Sequence, residues 1–204
     1  NDTKDGVILL TAWNTAGFPE VIELPATREI DGKELPVVGL AADIFNIMSN
    51  GTVRNVVVPD TVTTIGQGAF ENCKNLESIV LPKKLQEIYR EAFQGCVKLK
   101  SIVLPNTIKK IGISAFEGCS SLSSVTLGTG LREIGIWAFN DCPSLKSITI
   151  PANVTYIGAK AFGSTPITVY GYSGSAAEEE YAGKSGNVTF VLLDKKTTGI
   201  TIKA

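Results

Sequence analysis

This 204-residue sequence contains four cysteines and no histidine. The cysteines are therefore the first side chains whose type and spacing could support chemistry. Without histidine, Ser–His–Asp and Cys–His catalysis are excluded, and the commonest metal ligand is missing. Cys73, Cys96, Cys119 and Cys142 recur every 23 residues, whereas zinc ligands usually lie about two to four residues apart. We therefore predict buried structural thiols, with disulfide bonds as the alternative and no metal site.

The carboxylates that an acid–base mechanism would use are Asp141 with Glu133, or the acidic run at residues 178–180. Nothing in the sequence places either set in a pocket, and a charge run on a terminal helix is usually a solvated face. The glycine motifs that bind nucleotide phosphates are not present. We expect no enzyme activity, no catalytic residue and no cofactor.

The bulk composition excludes further classes of partner. The chain is 44% apolar and 19% charged, with a net charge of −1, so nucleic acid binding, which needs clustered Lys and Arg, is not expected. Membrane insertion is not expected either, because the apolar runs are far shorter than the roughly 20 residues that cross a bilayer. The sequence opens at Asn1 without an initiator Met or a signal peptide, as in a mature or trimmed chain.

The elements that position the cysteines come from a 23-residue repeat. From Val56 the sequence reads VVVPDTVTTIGQGAFENCKNLES, and further units follow without a gap, each with the same columns of apolar residues. Such spacing indicates a solenoid, in which each coil stacks on the next. The phenylalanines of the repeat are Phe70, Phe93, Phe116, Phe139 and Phe162, and Phe45 precedes them in a less regular coil.

Two apolar periods alternate within a unit. Ile79 and Leu81 are spaced by two, which predicts a short strand with these side chains inward. Ala69, Phe70 and Cys73 have the spacing of one face of a helical turn. Stacking would pair each strand in parallel with its neighbours and bury the phenylalanines as a spine. We predict a right-handed α/β solenoid of leucine-rich-repeat type, with about six 23-residue coils, a parallel β-sheet on one face and short helical turns on the other.

The solenoid is predicted to be one capped domain. Its parts are residues 1–52 (N-terminal cap and irregular first coil), 53–165 (regular repeats) and 166–193 (C-terminal cap), followed by a tail or linker at 194–204. The C-terminal cap is expected to hold a short helix within 175–184, capped by Ser175, and a final strand at 188–193. At the other end we expect a strand-like segment at 7–13 and a hairpin at Asp31-Gly32.

The pattern I-x-L-P-x-x-L-x-x-I-G-x-x-A-F-x-x-C-x-x-L-x-x resembles the BspA-like leucine-rich repeats of bacterial surface proteins, first noted in Treponema. The resemblance covers roughly residues 20–193, and the segment at 169–178 is similar to the family's usual C-terminal cap. The departures are minor: Tyr89 stands where other coils have Gly, Gly128 replaces the Pro, and Thr165 in the shortened last coil lies near the place of the Cys. The resemblance implies an extracellular or cell-surface protein of host-associated bacteria, with any lipid anchor outside these residues, and it carries over no catalytic residues.

The solvent-facing columns of the predicted sheet are the candidate binding site. We call these eight residues the outer strip: Ser78, Val80, Ser101, Val103, Ser124, Thr126, Ser147 and Thr149. An uncharged, partly apolar surface that repeats from coil to coil is typical of an interaction site. Its rim would be charged, through Arg54, Glu77, Lys100 and Lys146. The alternative interpretation is that β-branched residues simply suit a parallel sheet.

Two functions fit this sequence. The first is adhesion, in which the outer strip recognises a host or bacterial surface protein or a matrix component, as the resemblance implies. The second is a structural spacer or scaffold that presents another domain at the cell envelope and binds nothing itself. We expect a monomer.

Overall fold

Each coil of the protein contributes two short strands, one to each of two faces. The computed structural model describes residues 7–9, 20–45, 53–184 and 186–193. The strands are β1 (Val7–Leu9), β2 (Val21–Glu23), β3 (Thr27–Ile30), β4 (Lys33–Leu40), β5 (Asn55–Val57), β6 (Thr64–Ile65), β7 (Ser78–Val80), β8 (Glu87–Ile88), β9 (Ser101–Val103), β10 (Lys110–Ile111), β11 (Ser124–Thr126), β12 (Glu133–Ile134), β13 (Ser147–Thr149), β14 (Tyr156–Ile157), β15 (Ile167–Tyr172) and β16 (Val188–Leu193), with one helix, α1 (Ala176–Tyr181).

The first face carries the predicted strands, and they pair in parallel with a register of one coil. Ser78 lies opposite Asn55, and Ser124 lies opposite Ser101. The ladder is divided among the described residues into three sheets, β2-β5-β7, β9-β11 and β13-β15-β16. The predicted parallel sheet is confirmed, but the expectation that every strand pairs with both neighbours is wrong at β7/β9 and β11/β13.

The second face carries an eight-stranded sheet that the sequence did not predict. Its path is β1-β4-β6-β8-β10-β12-β14, and β3 pairs with β4 in an antiparallel hairpin. The hairpin turns at Asp31 and Gly32, both with left-handed backbone (φ 51° and 73°), as the dipeptide predicted. Most strands of this sheet have only two residues. Each still pairs with the strand of the next coil, and this unbroken ladder holds the spacing of the coils on the second face.

The predicted helical turns are wrong, because the backbone between the two faces is not helical. Glu91 and Trp137 occupy the same place in different coils with φ of 59° and 56°, a left-handed conformation that a right-handed helix cannot contain. The amide N–H of Phe70 donates to the carbonyl oxygen of Ala92 in the next coil over 2.7 Å. Turns bonded from coil to coil therefore take the place of helices, although Ala69 and Phe70 are buried as predicted.

The core is a column of stacked phenylalanine rings. Phe93 and Phe116 have ring centroids 5.1 Å apart and planes within 1° of parallel. The column runs through Phe45, Phe70, Phe93, Phe116, Phe139 and Phe162. Offset stacking and complete burial make this column the main apolar contribution to stability. The predicted spine is confirmed.

The C-terminal cap closes the exposed end of that column. Tyr181 of α1 lies against Phe162 with centroids 5.9 Å apart. The Ser175 side chain accepts from the Glu178 amide at the helix N-terminus, and β16 pairs in parallel with β15. The predicted helix, its cap residue and the final strand are confirmed. The proposed strand residues 10–13, the end of the irregular first coil at 46–52 and the tail 194–204 lie outside the described residues.

Candidate functional site

The outer strip lies on the solvent side of the first face, where the alternation of the strands places it. All eight of its side chains are exposed. Among the described residues, Val80 and Val103 are the most exposed large apolar side chains, at 58% and 66%. These two valines belong to consecutive coils. The inward neighbour Ile102 is only 2% exposed, so the period of two is confirmed.

Most hydroxyl groups of the outer strip face solvent without a protein partner. Ser78 is the exception in this part of the chain, since its Oγ donates to Asn55 Oδ1 over 2.6 Å. Among the described residues, no side-chain hydrogen bond is formed by Ser101, Ser124, Thr126, Ser147 or Thr149. These hydroxyls are able both to donate and to accept hydrogen bonds with a ligand.

A network of ion pairs runs along one edge of the outer strip. Arg54 Nη1 lies 2.7 Å from Glu77 Oε1, and Lys100 Nζ lies 3.3 Å from Glu77 Oε2. The hydrogen bond from Arg54 and the charge and hydrogen bond of Lys100 lower the pKa of Glu77. The same carboxylate raises the pKa of Arg54. Glu20 also pairs with Arg54, over 3.2 Å. Three of the four predicted rim residues therefore belong to one network, in which two cations and two carboxylates balance, and this exposed network is screened by salt.

The interruptions in the strand ladder expose apolar side chains that were predicted to be inward. Val125 and Leu127 of the coil at β11 are half-buried, whereas Ile148 in the next coil is 2% exposed. The same occurs at the β7/β9 interruption, where Ile79 and Leu81 are half-buried. The first face therefore has two seams, β7/β9 and β11/β13, at which neighbouring strands are not paired and inward side chains are partly exposed.

A groove of about 660 Å³ lies at the seam between β11 and β13. Its walls include four residues of the outer strip, Ser124, Thr126, Ser147 and Thr149. Residues that the sequence did not single out complete it, and these are Ser123, Val125, Leu127, Thr129, Ile148, Pro151, Ala152, Asn153, Tyr170 and Tyr172. No lining side chain is charged. The sequence does contain a signal for the aromatic part of the groove. Tyr170 and Tyr172 are spaced by two, which places both on the same side of a strand in the predicted cap.

The cysteines form a ladder of their own beneath the turns. The Sγ of Cys96 donates to the carbonyl oxygen of Phe70 over 3.1 Å, and that of Cys142 donates to Phe116 over 3.1 Å. Burial raises the pKa of Cys73 and of Cys142 to about 12. The structure has all four cysteines as free thiols, as the structural interpretation predicted, but Cys73 is only half-buried. Thiols with such a raised pKa are poor nucleophiles and poor metal ligands near neutral pH.

Three of the carboxylates considered for catalysis, Glu133, Glu178 and Glu180, have structural partners. Glu133 pairs with Lys110 Nζ over 2.9 Å. The Glu178 side chain accepts from the Gly174 amide over 2.7 Å, and Glu180 lies 3.4 Å from Lys184 Nζ. In the described part of the chain, no three metal-ligating side chains are grouped together. No helix there is long and apolar enough to span a bilayer.

Comparison with known families now identifies the class of protein. The chain matches the family described as the BspA type leucine rich repeat region, in 6 copies over residues 45–168. It therefore belongs to the BspA-type leucine-rich repeat family, and the family predicted from the repeat pattern is confirmed. A search of curated protein sequences found no significant match.

Solved structures of similar proteins share the fold. A leucine-rich repeat protein of T. pallidum is 33% identical, with a TM-score of 0.65 over 84% of this chain and 80% of that one. A leucine-rich cell surface protein of Faecalibacterium prausnitzii is 25% identical, with a TM-score of 0.61 over 83% of this chain. The pneumococcal vaccine antigen PcpA, at 22% identity, has a TM-score of 0.69 over 84% of this chain. The chain spans about half of the last two structures, 51% and 46% of their lengths.

Proposed function

We propose that this protein is a non-enzymatic recognition module that binds a protein partner through the outer strip. The observation that carries this is the pair Val80 and Val103, which are 58% and 66% exposed on consecutive coils. The two valines lie on the same face, on either side of the β7/β9 seam, and exposed apolar side chains grouped on one face are typical of partner sites. The ion pairs of Glu77 with Arg54 and Lys100 flank these valines. They provide the polar, solvent-accessible rim that is typical of protein interfaces.

The scaffold behind the outer strip favours binding because it already holds the strip in one conformation. Ile102, an inward side chain of the first face, belongs to the same buried core as the stacked phenylalanines, and the second face is held by an unbroken ladder. A surface that is already ordered loses less conformational entropy when it associates with a partner. The absence of charged side chains from the strip itself also keeps the desolvation cost low.

The proposed partner is a host or bacterial surface protein or a matrix component, and the proposed location is extracellular or at the cell surface. The support is the similar F. prausnitzii protein, which is described as a leucine-rich cell surface protein. The pneumococcal relative is described as a vaccine antigen, a description that suits a protein accessible at the cell surface.

The test begins with an array of purified extracellular-matrix and bacterial surface proteins. The partner with the lowest Kd is then titrated with the variant Val80→Lys, Val103→Glu. We expect at least a tenfold loss of affinity, about 1.4 kcal/mol, with an unchanged thermal midpoint because both side chains face solvent. The matched control is Ile113→Lys, Tyr156→Glu, which alters exposed apolar residues on or beside strands of the second face.

Two outcomes would overturn the proposal. The first is undiminished affinity in the folded Val80→Lys, Val103→Glu variant, which would remove the partner from the outer strip. The second is an array on which the wild-type protein binds nothing, which would favour the structural spacer. Loss of affinity in the control variant alone would assign recognition to the second face.

A further inference from the structure

The groove between β11 and β13 has the size of a small-ligand site. Its volume of about 660 Å³ lies within the range of roughly 300–1,000 Å³ in which such sites fall. It occupies the C-terminal end of the first face and begins one strand beyond Val103, whose register partner Thr126 lines it. The groove shares four residues with the outer strip but includes neither Val80 nor Val103, so variants of those two valines and variants of the groove test different residues.

The chemistry of the groove is polar without being charged. The hydroxyls of Ser124, Thr126, Ser147 and Thr149 line it and make no hydrogen bond within the described part of the chain. Asn153 reaches the neighbouring coil, where its Nδ2 donates to the carbonyl oxygen of Thr129 over 3.0 Å. An anion would find no cationic side chain in this lining, and a cation would find no carboxylate.

Two tyrosines supply the aromatic surface of the groove. Tyr170 and Tyr172 alternate along β15 with inward Val169 and Gly171, so both rings lie on the solvent side and are half-buried. Tyr170 is in register with Thr149 of β13. Tyr172 lies beyond the end of β13, where Pro151 and Ala152 line the groove.

The tyrosine pair is held rigidly from below. All six residues of β15 pair with β16. A Cβ at Gly171 would lie 2.8 Å from Phe190 Cε2 and 3.0 Å from Ala177 Cβ. The absence of a side chain at Gly171 therefore lets β15 press onto α1 and β16, and the tyrosines have little freedom to move apart.

We propose that this groove binds an uncharged oligosaccharide. The C–H faces of pyranose rings pack on aromatic rings, and tyrosine offers a rigid apolar face together with a hydroxyl. Sugar hydroxyls match the donor and acceptor hydroxyls of the seryl and threonyl side chains. The proposal rests on the proposed function in treating the first face as a recognition surface, and it assigns a second class of ligand to one end of it.

The experiment uses an array of neutral di- to tetrasaccharides built from glucose, galactose, mannose and N-acetylglucosamine, with sialylated and sulfated counterparts. The best neutral oligosaccharide is then titrated by calorimetry. We expect Tyr172→Ala to weaken its binding at least tenfold, and Tyr172→Phe, which keeps the ring, to weaken it by about threefold or less. The matched control is Tyr156→Ala, which removes an exposed tyrosine from β14 on the second face and leaves the affinity unchanged.

Three results would overturn the proposal: no neutral oligosaccharide bound by the wild-type protein, a preference for the charged counterparts, or equal affinity in the folded Tyr172→Ala variant. The variant Val80→Lys, Val103→Glu separates this proposal from the previous one. It should keep the oligosaccharide while losing the protein partner. If this variant keeps both ligands, the outer strip is not the protein site but the groove assignment stands. If Tyr172→Ala keeps the oligosaccharide, only the groove assignment fails.

Discussion

The thiol of Cys119 donates a hydrogen bond to the backbone carbonyl oxygen of Phe93 in the preceding coil, over 3.2 Å. The same carbonyl accepts from the amide of Cys96 over 3.2 Å. Each cysteine of the ladder therefore bonds to a carbonyl of the turn beneath it, next to the stacked phenylalanine. This contact explains the cysteine column by the packing of the coils.

The first prediction concerns the reactivity of the thiols. Iodoacetamide at pH 8 should label the native protein slowly and at Cys73 first, because Cys73 is half-buried while Cys96, Cys119 and Cys142 are buried. Denaturant should make all four residues react. Intact mass and peptide mapping would measure this, and a loss of two or four hydrogens in the non-reduced protein would show disulfides instead.

The second prediction is a loss of stability in alkali. Burial raises the pKa of Cys142 from 9.0 to about 12, so the unfolded state releases this proton first as the pH rises. The stabilisation from the neutral buried thiol is complete below about pH 9 and is lost between pH 9 and 12. The free energy of unfolding should fall by up to about 1.4 kcal/mol per pH unit for each such thiol.

The control for this pH dependence is Cys142→Ala, measured by urea unfolding at pH 8, 9 and 10. The variant is less stable at every pH, but its stability should fall less steeply above pH 9 because one titrating thiol is absent. Parallel curves for the two proteins would contradict the assignment of the alkaline loss to buried thiols.

The third prediction compares two positions in the phenylalanine column. Phe116 stacks on Phe93 and Phe139 at 5.1 and 5.2 Å, whereas Phe45 stacks on Phe70 at the end of the described column. Phe116→Ala should cost about 3–5 kcal/mol and more than Phe45→Ala. Denaturant midpoints would measure both, and equal shifts would show that the central stack adds nothing.

The fourth prediction concerns a glycine where two coils approach closely. A Cβ at Gly135 would lie 2.6 Å from the carbonyl carbon and oxygen of Gly112 in the preceding coil, so Gly135→Ala forces the coils apart and should cost about 1–3 kcal/mol or more. Gly174→Ala is the matched control, since a Cβ there meets open space and only the positive φ of 71° is strained. We expect this control to lower the free energy of unfolding by about 1 kcal/mol. Equal thermal midpoints for the two variants would contradict the close-approach explanation.

The sequence predicted the side-chain columns more reliably than the backbone that carries them. A spacing of one and four residues, as in Ala69, Phe70 and Cys73, is shared by a helical turn and by a turn bonded to the next coil. Trp137 gives no sign of the left-handed backbone it adopts, because bulky residues rarely do so in isolation. Tyr89 stands in the same column as Gly135, so this column does not require a glycine backbone. The requirement at Gly135 is instead for space between its coil and the preceding one.

The outer strip was predictable and the groove was not. A period of two fixes which side of a strand faces solvent, so Val80 and Val103 could be placed from the sequence alone. The groove depends on the seam between β11 and β13, which the sequence does not signal, because these two strands differ at only one of their three residues. It also depends on the register of the shortened last coil, which brings Tyr170 beside Thr149.

The most direct test of recognition through the outer strip is hydrogen–deuterium exchange of the complex with the tightest protein partner from the array. If the partner binds the outer strip, exchange should slow in peptides that contain residues 78–80 and 101–103. Exchange should not change in peptides that contain only residues 87–88 or 110–111 of the second face. Slower exchange confined to the second-face strands, with residues 78–80 and 101–103 unchanged, would contradict it.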